Sequence, residues 1–124
     1  MKYKLIERKN PQNPQATPKV YAAPVNDGKV SQKDIAADIV GLSSLSRGDV
    51  ANVIDSLIDT VPKYLLMGKS VSLGELGTLR ISFTSEGVAS AEDFSVSLIS
   101  GVKIIFTPSV ALKKKIEEIH FEKE

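Results

Sequence analysis

The side chains of this sequence that could do chemistry favour binding over catalysis. His120 is the only histidine, and with Glu117 and Glu118 nearby it offers at most a weak metal site. The absence of cysteine excludes disulfides, thiolate zinc sites and thiol nucleophiles. The serine-rich segments have no accompanying base, and the GELG segment at residues 74–77 links two strands instead of opening a helix, as a phosphate-binding loop would. We therefore expect no enzyme activity, no metal and no other cofactor.

Basic side chains are the other candidates, because they can bind phosphate. The net charge of the 124 residues is only +1, which by itself favours no nucleic-acid partner. Residues 1–30 have six basic and two acidic side chains, whereas residues 31–68 have three and five, and residues 69–124 seven and eight. Basic character therefore concentrates at the N-terminus and in the run KKK at residues 113–115. Solvated surface charge is the alternative interpretation of both.

Length and composition indicate a domain of ordinary size with a short appendage. A chain of 124 residues with 42% hydrophobic residues can bury a core. No apolar run approaches the roughly 18 residues of a membrane span, and no signal-peptide core follows Met1. We expect a cytoplasmic protein with no membrane partner.

Residues 1–30 are predicted to form a β-hairpin. Residues 3–7 and 19–22 have the composition of short strands. Three prolines within residues 10–18 exclude a helix between them, and Asn26-Asp27-Gly28 is a turn signal.

Two helices are predicted next, over about 31–41 and 46–67, each opened by a capping-box pattern. The second box pairs Ser46 with Asp49. Apolar residues then recur every three or four positions along the second helix, as on an amphipathic helix. Pro62 interrupts this helix without breaking its apolar phase, so we expect a kink there and not an end.

From residue 69 to 106 the hydrophobic period is two, which predicts three or four antiparallel strands. One of these strands is expected over residues 94–98. Thr107 and Pro108 fit the N-cap and first residue of a final helix over about 108–119. This order of elements is an α+β fold, and its broad apolar faces in so short a chain predict a homodimer.

Three short patterns follow one another along the chain: Gly-Leu-Ser within residues 41–50, Gly-x-x-Val-x-Leu…Leu-Gly-Thr-Leu within 68–79, and Phe-x-Pro-x-x-x-Leu-Lys within 106–113. Together they resemble the HU and integration host factor (IHF) family of bacterial histone-like proteins. The N-terminal hairpin, the proline in the long helix and the C-terminal Phe121 are similar to the HU-HIG branch of that family, found largely in Bacteroidetes.

The resemblance implies an HU-like (IHF-like) DNA-binding fold. Residues 1–30 would be a β-hairpin extension, and residues 31–124 a domain with a helical base, an antiparallel sheet and a β-ribbon arm. Proteins of this family form intertwined dimers whose arms bind and bend DNA from the minor groove. It thus implies a nucleoid-associated homodimer whose partner is double-stranded DNA and not a small-molecule substrate.

The arm, expected between Phe83 and Lys103, departs from the family pattern. It contains no arginine and no proline, and Glu86, Glu92 and Asp93 make it acidic. A proline wedge between base pairs is therefore impossible, and the carboxylates repel phosphate. We expect weak, salt-dependent binding to the DNA backbone instead of a strong kink.

The resemblance and the charge distribution together nominate the DNA contacts. Lys69 and Lys113 match basic residues of the family pattern. The further candidates are Arg80, whose strand face the sequence leaves open, together with Lys103, Lys114, Lys115, Lys2 and Lys4, with Arg8 and Lys9 as a supplementary basic edge. The alternative is a structural or protein-interaction module of the same fold that has largely lost DNA binding.

Overall fold

The computed structural model describes residues 1–124, which form two compact units. Unit 1 comprises Met1–Ser31 and Glu117–Glu124, and unit 2 comprises Gln32–Ile116. In chain order the elements are β1 (Lys2–Arg8), β2 (Lys19–Pro24), α1 (Gln32–Leu42), α2 (Arg47–Leu65), β3 (Val71–Ser72), β4 (Gly77–Ser85), β5 (Ile99–Pro108), α3 (Val110–Ile116) and β6 (Glu122–Lys123). None of the three helices has the length and apolar character needed to cross a membrane.

Unit 1 is a three-stranded sheet in the order β2-β1-β6. β1 and β2 pair antiparallel, with Tyr3 opposite Pro24 at one end and Arg8 opposite Lys19 at the other. β6 pairs parallel with the other edge of β1. The sequence predicted the first two strands but not the third, because a strand of two residues has no detectable period.

The C-terminal boundary differs from the prediction. The final helix was expected to reach residue 119 within a domain of residues 31–124, but α3 ends at Ile116 and the residues after it lie in unit 1. The N-terminal ammonium group of Met1 donates to the carbonyl of His120 at 2.7 Å. The N–H of Glu124 donates to the carbonyl of Tyr3 at 2.9 Å. Residues 117–119, predicted as the last turn of the helix, therefore lie outside it, and the residues that follow are hydrogen-bonded to the other end of the chain.

The first residues of α2 form the predicted capping box. The Ser46 hydroxyl accepts the Asp49 N–H at 3.1 Å, and the Asp49 carboxylate accepts the Ser46 N–H at 3.0 Å. α2 continues past Pro62, whose carbonyl accepts the N–H of Leu66 at 2.9 Å. Gly68, with a φ of +79°, then reverses the chain, which is the usual role of glycine after a helix.

The sheet of unit 2 is antiparallel in the order β3-β4-β5. Gly77 opens β4 with a φ of +152° and is buried. A Cβ atom at this position would lie 2.6 Å from the Phe106 ring and against the Thr107 carbonyl. Only glycine fits this backbone and this close approach, so the Gly-Thr pair of the sequence pattern has a steric reason.

Residues 86–98, which connect β4 to β5, do not contain the strand predicted over 94–98. They form 3₁₀ turns at Ala91–Asp93 and Val96–Leu98. The N–H of Leu98 donates to the Ser95 carbonyl at 3.0 Å, and the N–H of Ser97 to the Ser95 hydroxyl at 3.4 Å. Serines that bond the local backbone compete with a strand ladder, so the apolar alternation here was misleading.

The start of the final helix also differs from the prediction. Pro108 is the last residue of β5 and lies opposite Gly77, and α3 begins at Val110. Proline is tolerated in a sheet only where its missing N–H is not needed. Ser109, and not Thr107, caps the helix, since its hydroxyl accepts the N–H of Leu112 at 3.0 Å.

Few apolar side chains of unit 2 are buried. Ala36, Val50 and Leu65 are the buried hydrophobic residues. On α2, Val53 and Ile58 remain 54% and 60% exposed, as does Ile104 of β5 at 62%. The apolar faces that the sequence predicted for α2 and the sheet are therefore largely uncovered within one chain.

Candidate functional site

Lys69 lies in the connection between α2 and β3, with its ammonium group near an aromatic ring. Its N–H donates to the carbonyl of Tyr64 at 3.2 Å. Its Nζ is 5.9 Å from the centroid of the Tyr64 ring, and the Nζ of Lys63 is 5.4 Å from the same centroid. A cation within about 6 Å of a ring face is attracted to it. The Tyr64 ring therefore attracts the ammonium groups of both Lys63 and Lys69.

An open groove of about 580 Å³ brings Lys69 together with Arg80 of β4. Its apolar lining includes Leu65, Phe83 and Val102. No carboxylate is among the lining residues. Two cations with no acidic neighbour in the groove favour an anionic ligand.

Arg80 and Lys103 lie on the same face of the β4–β5 ladder. Arg80 is opposite Ile105, and Ser82 is opposite Lys103. Residues two apart on a strand share a face, so the arginine and the lysine are diagonal neighbours. The register thus shows that Arg80 shares a face of the sheet with Lys103, which the sequence alone could not show.

Lys113, Lys114 and Lys115 form the exposed last turn of α3. The start of this helix is held by Ser109, whose N–H donates to the Leu76 carbonyl at 3.3 Å and whose hydroxyl donates to the Glu75 carbonyl. Consecutive helical residues are about 100° apart around the axis, so the three lysines cannot all face one ligand. Cations also stabilise the C-terminus of a helix, whatever ligand they bind.

The remaining predicted contacts, Lys2, Lys4, Arg8 and Lys9, lie in unit 1. Lys2 and Lys4 are exposed on β1 and, being two apart, share one face of the strand. The other six predicted residues, Lys69, Arg80, Lys103, Lys113, Lys114 and Lys115, all lie in unit 2.

The loop of residues 86–98 has acidic and no basic side chains. Glu86, Glu92 and Asp93 are all exposed, and the Asp93 carboxylate accepts a hydrogen bond from the Ser90 hydroxyl at 3.1 Å. The loop therefore lies at the end of the β4–β5 ladder as a negatively charged tip.

Sequence reasoning missed three residues of these basic surfaces. The helical period accounts for Lys63 and Tyr64 without a binding role, although a cation and an aromatic residue close to Lys69 in the chain are a usable signal. Lys19 counts toward the basic charge of residues 1–30 but is not among the predicted contacts, because its position opposite Arg8 depends on the register of β1 and β2.

Unit 2 is a small α+β domain with cations at the end of a long helix, on a sheet face and on a final short helix. The order of its elements, two helices, a three-stranded sheet and a final helix, is the order that the resemblance in the sequence predicts. The family model described as "HU domain fused to wHTH, Ig, or Glycine-rich motif" (HU-HIG) matches residues 1–123. The chain belongs to this family, which confirms the resemblance found in its sequence.

A solved structure is similar to the whole chain. It is a crystal structure described as that of a "Putative bacterial DNA binding protein" from Bacteroides vulgatus ATCC 8482, with a TM-score of 0.63 and 18% sequence identity. The match covers 98% of this chain and 47% of the other, so this chain spans about half the length of that protein. At this identity the likeness establishes the fold alone. No curated protein matches the sequence at a significant level.

Proposed function

We propose that this chain is a histone-like architectural protein that forms a homodimer and binds duplex DNA mainly through backbone phosphates. The observation that supports this most directly is the groove that contains both Lys69 and Arg80, on a domain of the HU-HIG family. The role is structural and not catalytic. The nucleoid is the place where such a protein would meet its ligand.

The proposed contacts are cations that reach phosphate and not base edges. Lys69 and Arg80 share one groove, and Lys103 extends the basic face of the sheet. Lys113 and its two neighbours add positive charge on α3. Contacts to phosphate position a protein on DNA without reading the sequence, so we infer binding without strong sequence specificity.

A homodimer would cover the apolar faces of unit 2. Val53 and Leu57 are four residues apart on α2, on one stripe of the helix, and both are exposed. Fully burying an aliphatic side chain contributes about 1.5–3 kcal/mol. A second copy would bring the same apolar stripe to a two-fold interface, which favours pairing between identical chains.

We propose weaker DNA bending than the family arm would give. Beyond the irregularity at Ser82/Thr84, the β4–β5 ladder has only the pairs Thr84–Ser100 and Ser85–Ile99. The loop that follows is acidic and contains no proline. The cations of unit 2, and not a side chain inserted between base pairs by the tip of the arm, then supply the affinity for DNA.

The experiment is a salt titration of duplex binding by fluorescence anisotropy, with wild-type protein and Lys69→Gln/Lys113→Gln. The plot of log K against log salt has a negative slope, and each lost phosphate contact reduces the magnitude of that slope by about 0.9. The double variant should therefore bind more weakly at about 50 mM salt, with a slope reduced by about 1.8 for each engaged protomer. Lys33→Gln/Arg47→Gln removes the same charge from α1 and α2 and is expected to have a much smaller effect.

Failure of the wild-type dimer to bind a labelled duplex at low salt would overturn the proposal. The same result would favour an interaction module that keeps the scaffold without the DNA surface. Equal slopes for Lys69→Gln/Lys113→Gln and the control would show that the chosen cations do not contact phosphate.

A further inference from the structure

The two faces of the β1–β2 ladder in unit 1 differ in chemistry. Side chains alternate between faces along a strand, so Lys2, Lys4 and Arg8 share one face of β1. The register places Lys19 opposite Arg8, on that same face. The acidic side chain of these two strands, Glu7, lies on the other face. Glu122 of β6 is opposite Lys2 on the basic face, so a carboxylate balances that end of the face. The Arg8–Lys19 end of the β1–β2 ladder has no acidic side chain on this face.

The end of this basic face has an arrangement that costs stability. Arg8 and Lys19 are directly opposite one another, and like charges at opposed positions destabilise an antiparallel pair. The Arg8 guanidinium carbon lies 5.8 Å from the centroid of the Tyr21 ring. Stacking on a ring orients a guanidinium while leaving its N–H donors available to an oxyanion.

A groove of about 390 Å³ lies at this end of the sheet. Arg8, Lys9, Lys19 and Tyr21 line it, together with the polar residues Asn10 and Thr17. No carboxylate is among the lining residues. Three cations around one groove suit a ligand with several closely spaced negative oxygens, and a phosphodiester chain is such a ligand.

We propose that this groove is a second phosphate-binding site, in which Arg8, Lys9 and Lys19 contact the DNA backbone and Tyr21 orients the arginine. That the bound phosphates belong to duplex DNA rests on the function proposed above. The site itself rests on separate observations, since all its residues belong to unit 1. It gives the N-terminal sheet a phosphate site of its own, in addition to the one proposed at Lys69 and Arg80.

The test is the same salt titration on the full chain with Arg8→Gln/Lys19→Gln. We expect a slope reduced by about 1.8 for each engaged protomer, with weaker binding at low salt. Lys29→Gln/Lys123→Gln is the matched control, because it removes the same charge from unit 1 outside the groove. Lys123 is opposite Tyr3, on the other face of the sheet. A slope for Arg8→Gln/Lys19→Gln equal to that of the control overturns the proposal.

Thermal unfolding distinguishes a binding role from a structural one. Arg8→Gln/Lys19→Gln removes a like-charge pair, so its unfolding midpoint is expected to stay level or rise while DNA binding falls. A lower midpoint together with unchanged binding would assign these residues to folding and contradict the site. Two-dimensional ¹⁵N NMR of the full chain with a short duplex supplies the location: amide shifts are expected at residues 8–9 and 19–21, and shifts confined to unit 2 overturn the proposal.

The outcomes also separate this site from the proposed function. A reduced slope for Lys69→Gln/Lys113→Gln alone would leave the function standing and overturn the second site. A reduced slope for Arg8→Gln/Lys19→Gln alone would support the second site and overturn the contacts proposed in unit 2. No duplex binding by the wild-type protein would overturn both.

Discussion

At the scale of single residues, Ser46 and Asp49 form a reciprocal pair of hydrogen bonds, the capping box of α2. The pKa of the Asp49 carboxyl is held below its ordinary value of 3.8. The hydrogen bond from the backbone N–H of Ser46 is the larger cause, and the hydrogen bond with the Ser46 side chain is the smaller one. The ionised carboxylate is thus favoured by folding. Its contribution to stability is present above the unfolded-state pKa and is lost as the pH falls through the lower folded-state pKa.

We predict that Asp49→Asn is less stable than the wild-type protein near neutral pH, and that the difference shrinks as the pH falls below 3.8. Ser46→Ala, which removes the hydroxyl cap, should cost about 1 kcal/mol at neutral pH. Urea unfolding followed by circular dichroism at several pH values measures both. Asp55→Asn removes the same charge from α2 outside the cap, and an equal, pH-dependent loss in that variant would contradict the assignment.

At the scale of elements, the acidic loop of residues 86–98 is the feature that most opposes DNA binding. A unit charge about 10 Å from a phosphate costs about 0.4 kcal/mol in water. Three such charges amount to about 1.2 kcal/mol, or roughly eightfold in affinity, before salt screening. Neutralising Glu86, Glu92 and Asp93 together should therefore raise duplex affinity by roughly fivefold at low salt, where screening is weak.

Anisotropy with Glu86→Gln/Glu92→Gln/Asp93→Asn measures this change. The matched control is Asp38→Asn/Asp55→Asn/Asp59→Asn, which removes three negative charges from α1 and α2. Equal gains in both variants would show a net-charge effect, and no gain in the loop variant would place the loop away from the DNA.

At the scale of the whole molecule, the exposed apolar residues of α2 make the dimer directly testable. Val53 is already 54% exposed in one chain, so Val53→Ser should change the stability of a monomer very little. In a dimer that covers this residue, the same substitution should cost about 1–2 kcal/mol for each chain. It should also lower the thermal midpoint and shift sedimentation towards the monomer.

The midpoint of the wild-type dimer should rise with protein concentration, because association stabilises only the folded state. Val30→Ser, at a 66% exposed position of unit 1, is the control. A wild-type protein that sediments as a monomer, with an unchanged midpoint for Val53→Ser, would refute the dimer.

Much of the fold could be predicted because its signals are local. The capping box at Ser46, the passage of α2 through Pro62 and the strands of residues 69–85 follow from patterns within a few positions. The two failures have different causes, one local and one tertiary. Residues 94–98 alternate like a strand, but Ser95 bonds its own backbone neighbours there, and Pro108 stays in a strand because its partner is Gly77.

The sequence by itself determined the local elements, the family and the distribution of charge, since periodicity, capping and composition act over short stretches of chain. Only the tertiary structure decided which cations share a surface. Arg80 and Lys103 share a face through the register of β4 and β5, and Arg8 meets Lys19 across the proline-containing loop. The end of the chain pairs with β1 because Glu124 and Tyr3 are hydrogen-bonded. Such pairings join residues far apart along the chain, and no local pattern encodes them.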